Sequence, residues 1–494
     1  MAMRLSRAAL GQLGPLVGIP GYRRDELSPG IVHVGVGNFH RAHQAAYLDE
    51  LFESGLDHDW AIIGTGVRES DAGMGRDLAA QDFLTTVVTQ EAERSQARVT
   101  GAMIDFVEPG DAVAIIERLV DPRTRIVSLT VTEGGYYIDP ATQAFDPGHP
   151  DIVGDAVNRL ALPKTAFGLI AAGLLKRRAA GLPPFTVMSC DNLPGNGHVT
   201  AAAVAGLVDL VDPAAARWIR ETVAFPNGMV DRITPATSDR ERQTLRDDFG
   251  VEDRRPVFCE DFRQWVLEDH FPAGRPRLEE VGVQFVADVA PFELMKIRIL
   301  NGGHATISYP AGLLGIHFVH EAMEDAQIAR FLSVLLDEEI IPVVPPVPDT
   351  DLAAYKRTIE RRFANPKIGD TIRRLCLDGS NRQPKFILPT LRDALRTGRP
   401  VDGLALVSAL WCRYCHGETE GGQAIAPNDP GWSRLTEQAG RARHTPEAWL
   451  AMQDVYGDLG QDERFLRAFS LALQHVWQHG TRASIDRYLA SRGS

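Results

Sequence analysis

The segment Glu293-Leu294-Met295-Lys296-Ile297-Arg298-Ile299-Leu300-Asn301-Gly302-Gly303-His304 concentrates side chains that can do chemistry. Its apolar periodicity predicts a helix. With Lys296 as origin, a regular helix puts Glu293 at about 60°, His304 at about 80° and Asn301 at about 140°. Four polar side chains then share one half of the helix, interleaved with Leu300 and Ile297. Polar groups set among apolar neighbours are costly unless paired or used. Gly302-Gly303 leaves room for a backbone or a ligand to come close. A lysine desolvated in such surroundings can take the proton of a hydroxyl group. An Asn amide and a His can donate to the alkoxide that develops. Oxidation of a secondary alcohol by hydride transfer needs these groups. The competing reading is a solvent-facing stripe with an ordinary Glu–Lys pair three residues apart.

A hydride acceptor would need its own site, and the sequence offers one near its start. The apolar run 31–34 leads straight into Gly35-Val36-Gly37-Asn38-Phe39-His40-Arg41, and a helical pattern follows. Strand, Gly-x-Gly and helix is the layout of a dinucleotide turn, in which the glycines allow a tight bend and close approach of a pyrophosphate. His40 stands where the third glycine of the usual fingerprint would be. His40 and His43 have metal-like spacing but are expected to cap or line the turn. An acidic residue after the second strand should bond the ribose hydroxyls, which selects NAD over NADP. Glu69 is the candidate, with Arg68 beside it as a possible acceptor of a 2′-phosphate and a solvated loop charge as the plain alternative.

The elements that would position these groups fall into two regimes. Short Val/Ile/Thr-rich runs at 31–34, 60–67, 126–131 and 185–190 alternate with helical patterns at 42–54, 111–119 and 165–180. That alternation predicts a parallel sheet with helices on both faces. Beyond about residue 221, long amphipathic stretches dominate. The expected fold class is α/β, with a Rossmann-like dinucleotide-binding domain over 1–220 and a mostly α-helical substrate-binding and catalytic domain over 221–494.

Composition removes several classes of function. The chain has 494 residues, 44% of them hydrophobic, and a formal net charge of −13. A net-acidic surface repels phosphate backbones, so no nucleic-acid partner is expected. No apolar run reaches the roughly 18–20 residues that span a bilayer, so no membrane partner is expected either. Gly11, Gln12, Gly14 and Pro15 interrupt the short apolar run after Arg4 and Arg7, which argues against a signal peptide and for a cytoplasmic protein. Five cysteines do not suggest a disulfide scaffold. Cys412-Arg413-Tyr414-Cys415-His416 spells a haem-attachment string, but it follows a helical run and is read as helix cysteines. No metal site is expected.

Three motifs together resemble a known family. Lys296, Asn301 and His304, in Lys-x4-Asn-x2-His spacing, resemble the catalytic motif of the polyol-specific long-chain dehydrogenases, the mannitol dehydrogenase family. Phe225-Pro226-Asn227-Gly228-Met229-Val230-Asp231-Arg232-Ile233-Thr234-Pro235 is similar to that family's signature, and Gly35 to His43 to its nucleotide turn. The resemblance covers residues 29 to 480. It implies NAD-dependent, metal-free oxidation of D-mannitol at carbon 2 to D-fructose by a monomer. Lys296 would be the general acid/base, with Asn192 and Asn301 holding the oxyanion. His304 and Asp231 would bind substrate hydroxyls, and Glu293 would pass the proton to water. Arg374 and Lys385 would line the polyol pocket. Gly35, Gly37, Asn38, Phe39, Arg41, Glu69 and Glu133 would hold the cofactor. Relatives within the family act on arabinitol, sorbitol, uronates or sugar phosphates. The cluster Arg373, Arg374, Arg382 and Lys385 would suit a carboxylate or phosphate better than a neutral polyol. A non-catalytic dinucleotide sensor on the same fold is the other class of reading.

Overall fold

The computed structural model describes residues 2–139, 142 and 144–492, without the side chain of Glu133. The chain forms two compact units, Met1–Ala290 and Pro291–Ser494.

The first unit is built on a five-stranded, all-parallel sheet. Its strands are β1 (Pro29–Val34), β2 (Ala61–Thr65), β3 (Met103–Val107), β4 (Ile126–Leu129) and β5 (Thr186–Ser189), in spatial order β3-β2-β1-β4-β5. Successive side chains of a strand point to opposite faces, and both faces are apolar here. Val32, Val34, Val127, Leu129 and Val187 share one buried cluster with Ile115 and Leu119 of α3 and Phe167 and Ile170 of α4. Ile31, Ile62, Ile126 and Met188 point the other way, onto Leu48, Leu51 and Phe52 of α2. These helices are α1 (Asn38–Ala42), α2 (Gln44–Glu53), α3 (Ala112–Val120) and α4 (Ala166–Ala179). Burial on both faces is the reason the strands read as continuous apolar runs. The strand order reverses between β1 and β4, and crevices at such a switch point, outside the carboxyl ends of the strands, are where open α/β sheets bind ligands.

The expected domain boundary near residue 220 moves to 290. The stretch in between is not helical in the main. Gly228–Asp231 (β6) pairs antiparallel with Gln264–Glu268, and Val257–Glu260 adds in parallel to Thr85–Gln90. Backbone pairing with strands far earlier in the chain ties this stretch to the first unit. Strand runs of four or five residues left too little periodicity to separate them from the helices that follow.

The second unit is mostly helical. Its first helix, α5 (Ala290–Met295), starts at the boundary and runs into a π-helical turn, Lys296–Asn301, and then α6 (Gly302–Leu313). Farther on, α7 (Asp402–Cys415) packs along α8 (Glu463–Ala490), which kinks at Gly480 where φ is +81°. Cys412 and Cys415 are buried free thiols inside α7. Among the described residues, no helix is long and apolar enough to cross a membrane.

Candidate active site

In the second unit the lysine segment differs from the regular helix expected of it. Residues 296–301 form a π turn, in which hydrogen bonds run from i to i+5. That wider turn holds more than four residues, so residues five apart stand closer in angle than on a regular helix. Lys296 and Asn301 are five apart, so they stand closer in angle here than the about 140° of a regular helix. Lys296 is buried, at 6% exposure. π turns are rare and frequent at functional sites. This one is anchored by Arg298, buried at its centre, whose guanidinium donates to the Val343 carbonyl and the Asp393 carboxylate, both at 2.5 Å. His304, half-buried on α6, stacks on Phe363 with ring centroids 4.1 Å apart. Glu293 is half-buried on α5.

The arginine cluster that suggested an anionic substrate is engaged elsewhere. Arg374 pairs with the Asp370 carboxylate. Arg373 donates to the Ala426 and Pro427 carbonyls, each at 3.1 Å. Arg382 donates to the carbonyls of Arg374 and Leu375 at 3.2 and 3.1 Å. Lys385 is exposed on the short helix Gly379–Phe386.

In the first unit the glycine turn leaves β1 at the switch point. Gly35 has φ of +99°, and a Cβ there would collide with the Thr130 carbonyl. Only glycine is free of strain in that conformation, and here only glycine fits. Gly37 is the opposite case. A Cβ on it would meet only the Gly35 oxygen, 3.9 Å away, so it would project into open space above the turn. That cradle suits a dinucleotide pyrophosphate, which needs backbone amides it can approach. Asn38, Phe39 and Arg41 brace the turn from the protein side. Asn38 donates to the Pro235 carbonyl at 3.1 Å, and Phe39 stacks on His43 at 4.7 Å. Arg41 is 1% exposed and donates to the Gly37 and Arg255 carbonyls and to the Asn38 side chain. Burial pulls its guanidinium down to about 10.

Beneath the turn, His33 and His40 stack with centroids 3.5 Å apart. His33 meets Ser128 Oγ at 2.8 Å through Nδ1, and Thr130 Oγ1 at 3.0 Å and the Gly35 carbonyl at 3.2 Å through Nε2. His40 and His43 thus belong to the support of the turn, as expected of them.

Glu69 is exposed in the 3₁₀ turn Glu69–Asp71, just past β2. Asp71 is occupied otherwise, its Oδ2 accepting the Val67 and Arg68 amides at 3.0 Å each. Asn192 is exposed three residues beyond the end of β5, on the carboxyl side of the sheet. Asp231 ends β6 and is 5% exposed. The backbone of Glu133 lies in the 3₁₀ turn Glu133–Tyr136, and its side chain falls outside the described residues. Among the described residues, no three His, Cys, Asp or Glu side chains gather into a group that could hold a metal.

A Rossmann-type nucleotide unit followed by a helical unit that carries a lysine-asparagine turn defines a polyol dehydrogenase. Comparison with known proteins agrees along the chain. The Mannitol dehydrogenase Rossmann domain matches residues 29–280 and the Mannitol dehydrogenase C-terminal domain residues 288–477. The chain belongs to the mannitol dehydrogenase family. It is 59% identical over 473 residues to the mannitol 2-dehydrogenase of Cereibacter sphaeroides, covering 96% of this chain and 98% of the relative. To the mannitol 2-dehydrogenase of Pyricularia oryzae it is 40% identical, covering 99% of each. Among solved structures, Pseudomonas fluorescens mannitol 2-dehydrogenase in ternary complex with NAD and D-mannitol superposes with a TM-score of 0.86 at 41% identity, covering 99% of this chain and 100% of that one. A D-sorbitol dehydrogenase in substrate-free form gives 0.91 at 35% identity, covering 98% and 100%.

Proposed function

We propose that this chain catalyses the reversible, NAD-dependent and metal-independent oxidation of D-mannitol at carbon 2 to D-fructose. The observation that carries the reading is the π turn that starts at buried Lys296 and ends at Asn301, closer in angle than a regular helix would put them. Near full-length similarity to mannitol 2-dehydrogenases supports the choice of polyol.

Lys296 takes the proton of the C2 hydroxyl as the general base. Asn301 and Asn192 donate to the oxygen as it gains negative charge. NAD, when bound, accepts the hydride from C2. Gly35 and Gly37 give its pyrophosphate close access to the backbone, and Glu69 accepts from its ribose hydroxyls. Asp231 and His304 bond neighbouring substrate hydroxyls. Glu293, one helical turn before Lys296, passes the abstracted proton toward water. Arg374 serves the polyol pocket indirectly, because Asp370 already holds its guanidinium, and Lys385 contributes from its exposed helix. Engagement of Arg373, Arg374 and Arg382 within their own unit favours a neutral polyol over a uronate or a sugar phosphate. The similarity to a D-sorbitol dehydrogenase keeps sorbitol as the second reading. The protein acts as a cytoplasmic monomer.

The test is NADH formation with mannitol, sorbitol, arabinitol and a uronate, with fructose assayed as product. Mannitol should give the highest kcat/KM. Faster turnover of sorbitol would replace the substrate. NADH binding without turnover of any polyol or ketose would leave a nucleotide sensor. Activity should survive exhaustive chelation, and a loss restored by zinc would overturn the metal-free mechanism.

A further inference from the structure

Thr132 has φ of +66° and ψ of +163°. That region is open almost only to glycine, and a β-branched residue held there is a genuine outlier. Such strain persists where the surroundings fix the backbone more firmly than the residue resists. Here the fixing group is the carboxylate of Asp191. Its Oδ2 accepts the Val131 amide at 2.9 Å and the Tyr136 hydroxyl at 2.7 Å, and its Oδ1 accepts the Thr132 amide at 3.0 Å. Tyr136 is fully buried and also lies 2.6 Å from Ser189 Oγ, at the end of β5. Asp191 is itself held, its amide on Ser189 Oγ at 3.2 Å and its carbonyl on the Asn196 side chain at 3.1 Å.

The place of this knot in the sheet gives it meaning. The clamped loop leaves β4 beside the glycine turn, where Thr130 donates to the Val34 carbonyl at 2.9 Å and, through Oγ1, to the Gly35 carbonyl at 2.6 Å. Glu133 is the next residue of the clamped loop, and Asn192 is the next residue after Asp191. We infer that Asp191 is a positioning residue that holds the 131–136 loop against the nucleotide turn and, by the same bonds, fixes the backbone that presents Asn192. The inference rests on the proposed function for what Asn192 does, and on the glycine turn alone for the nucleotide.

Strain at Thr132 supplies a test that a purely structural role would not pass. Glycine adopts φ of +66° without a Cβ penalty, so Thr132→Gly should make the clamp less necessary. NADH affinity of the full chain is read by fluorescence titration, with kcat and KM for mannitol alongside and thermal melting as the control for folding. Asp191→Asn should raise the NADH Kd by about tenfold or more, the scale of a lost hydrogen bond to a charged group. Tyr136→Phe, a milder change, should raise it by about threefold. Adding Thr132→Gly to either should recover most of the loss, whereas Thr132→Gly alone should bind as the unaltered chain does. Affinity unchanged in Asp191→Asn would overturn the inference, as would double variants no better than the singles. Because NADH binding is read without substrate, failure to turn over any polyol would defeat the proposed reaction and leave this test standing.

Discussion

Arg298 donates through Nη2 to the carboxylate of Asp393 at 2.5 Å, from the middle of the turn that carries Lys296 and Asn301. A π turn has poorer hydrogen-bond geometry than the helix around it and needs outside support to persist. Arg298→Met removes the bond to Asp393 and the one to the Val343 carbonyl together. The loss should cost about 2 kcal/mol of stability and lower kcat more than it raises the KM for NAD. Calorimetry and steady-state kinetics check both. A lower melting temperature with unchanged kcat would mean that the turn keeps its register without Arg298.

Lys296→Ala should lower kcat by about a hundredfold to ten-thousandfold, the range for loss of a general base, while NADH affinity barely moves. The asymmetry follows because the proposed role of the amine is at the substrate hydroxyl, whereas the nucleotide turn belongs to the other compact unit. Added small amines should restore part of the rate by occupying the vacated place. Turnover equal to that of the unaltered chain would remove Lys296 from the mechanism.

What the sequence made legible follows periodicity. The β1, β2, β4 and β5 strands and their helices were readable because both sheet faces are buried and the strands are therefore apolar throughout. The lysine motif was readable as spacing, but its geometry was not, because a helical wheel at 3.6 residues per turn has no term for a π insertion. The stretch 221–290 reads as helical in sequence because its strands are short, and one of them pairs with a partner over a hundred residues away, Val257 with Val87. Asp191 was visible beside Asn192, yet nothing local signals that its carboxylate reaches Thr132, some sixty residues earlier in the chain. The arginine cluster misled because charge in sequence does not show which carbonyls and carboxylates are near.

Glu69→Lys should shift cofactor preference toward NADP by about tenfold or more, since the carboxylate proposed to accept from ribose hydroxyls would be replaced by a cation that can meet a 2′-phosphate. Asp71 is the other acidic residue of the turn, and its carboxylate already accepts two backbone amides there. Asp71→Ala should therefore lower stability and leave the ratio of kcat/KM for the two cofactors nearly constant. The reverse pattern would move the ribose contact from Glu69 to Asp71.

Acid should destabilise the first unit through the histidines under the nucleotide turn. Burial pulls both His33 and His43 down to about 3, from an ordinary value of 6.5. His40 falls well below its usual range, through burial first and then through the neighbouring His33 and Arg41. Between those folded values and 6.5 the unfolded chain binds protons that the folded chain does not. Stability is therefore complete above pH 6.5 and is lost as pH falls toward 3. For His33 alone the loss at pH 5 is about 2 kcal/mol. His40→Phe keeps an aromatic ring on His33 and removes one titrating group. Its melting temperature should fall less between pH 7 and pH 5 than that of the unaltered chain. Parallel curves for the two proteins would place the acid sensitivity in other groups.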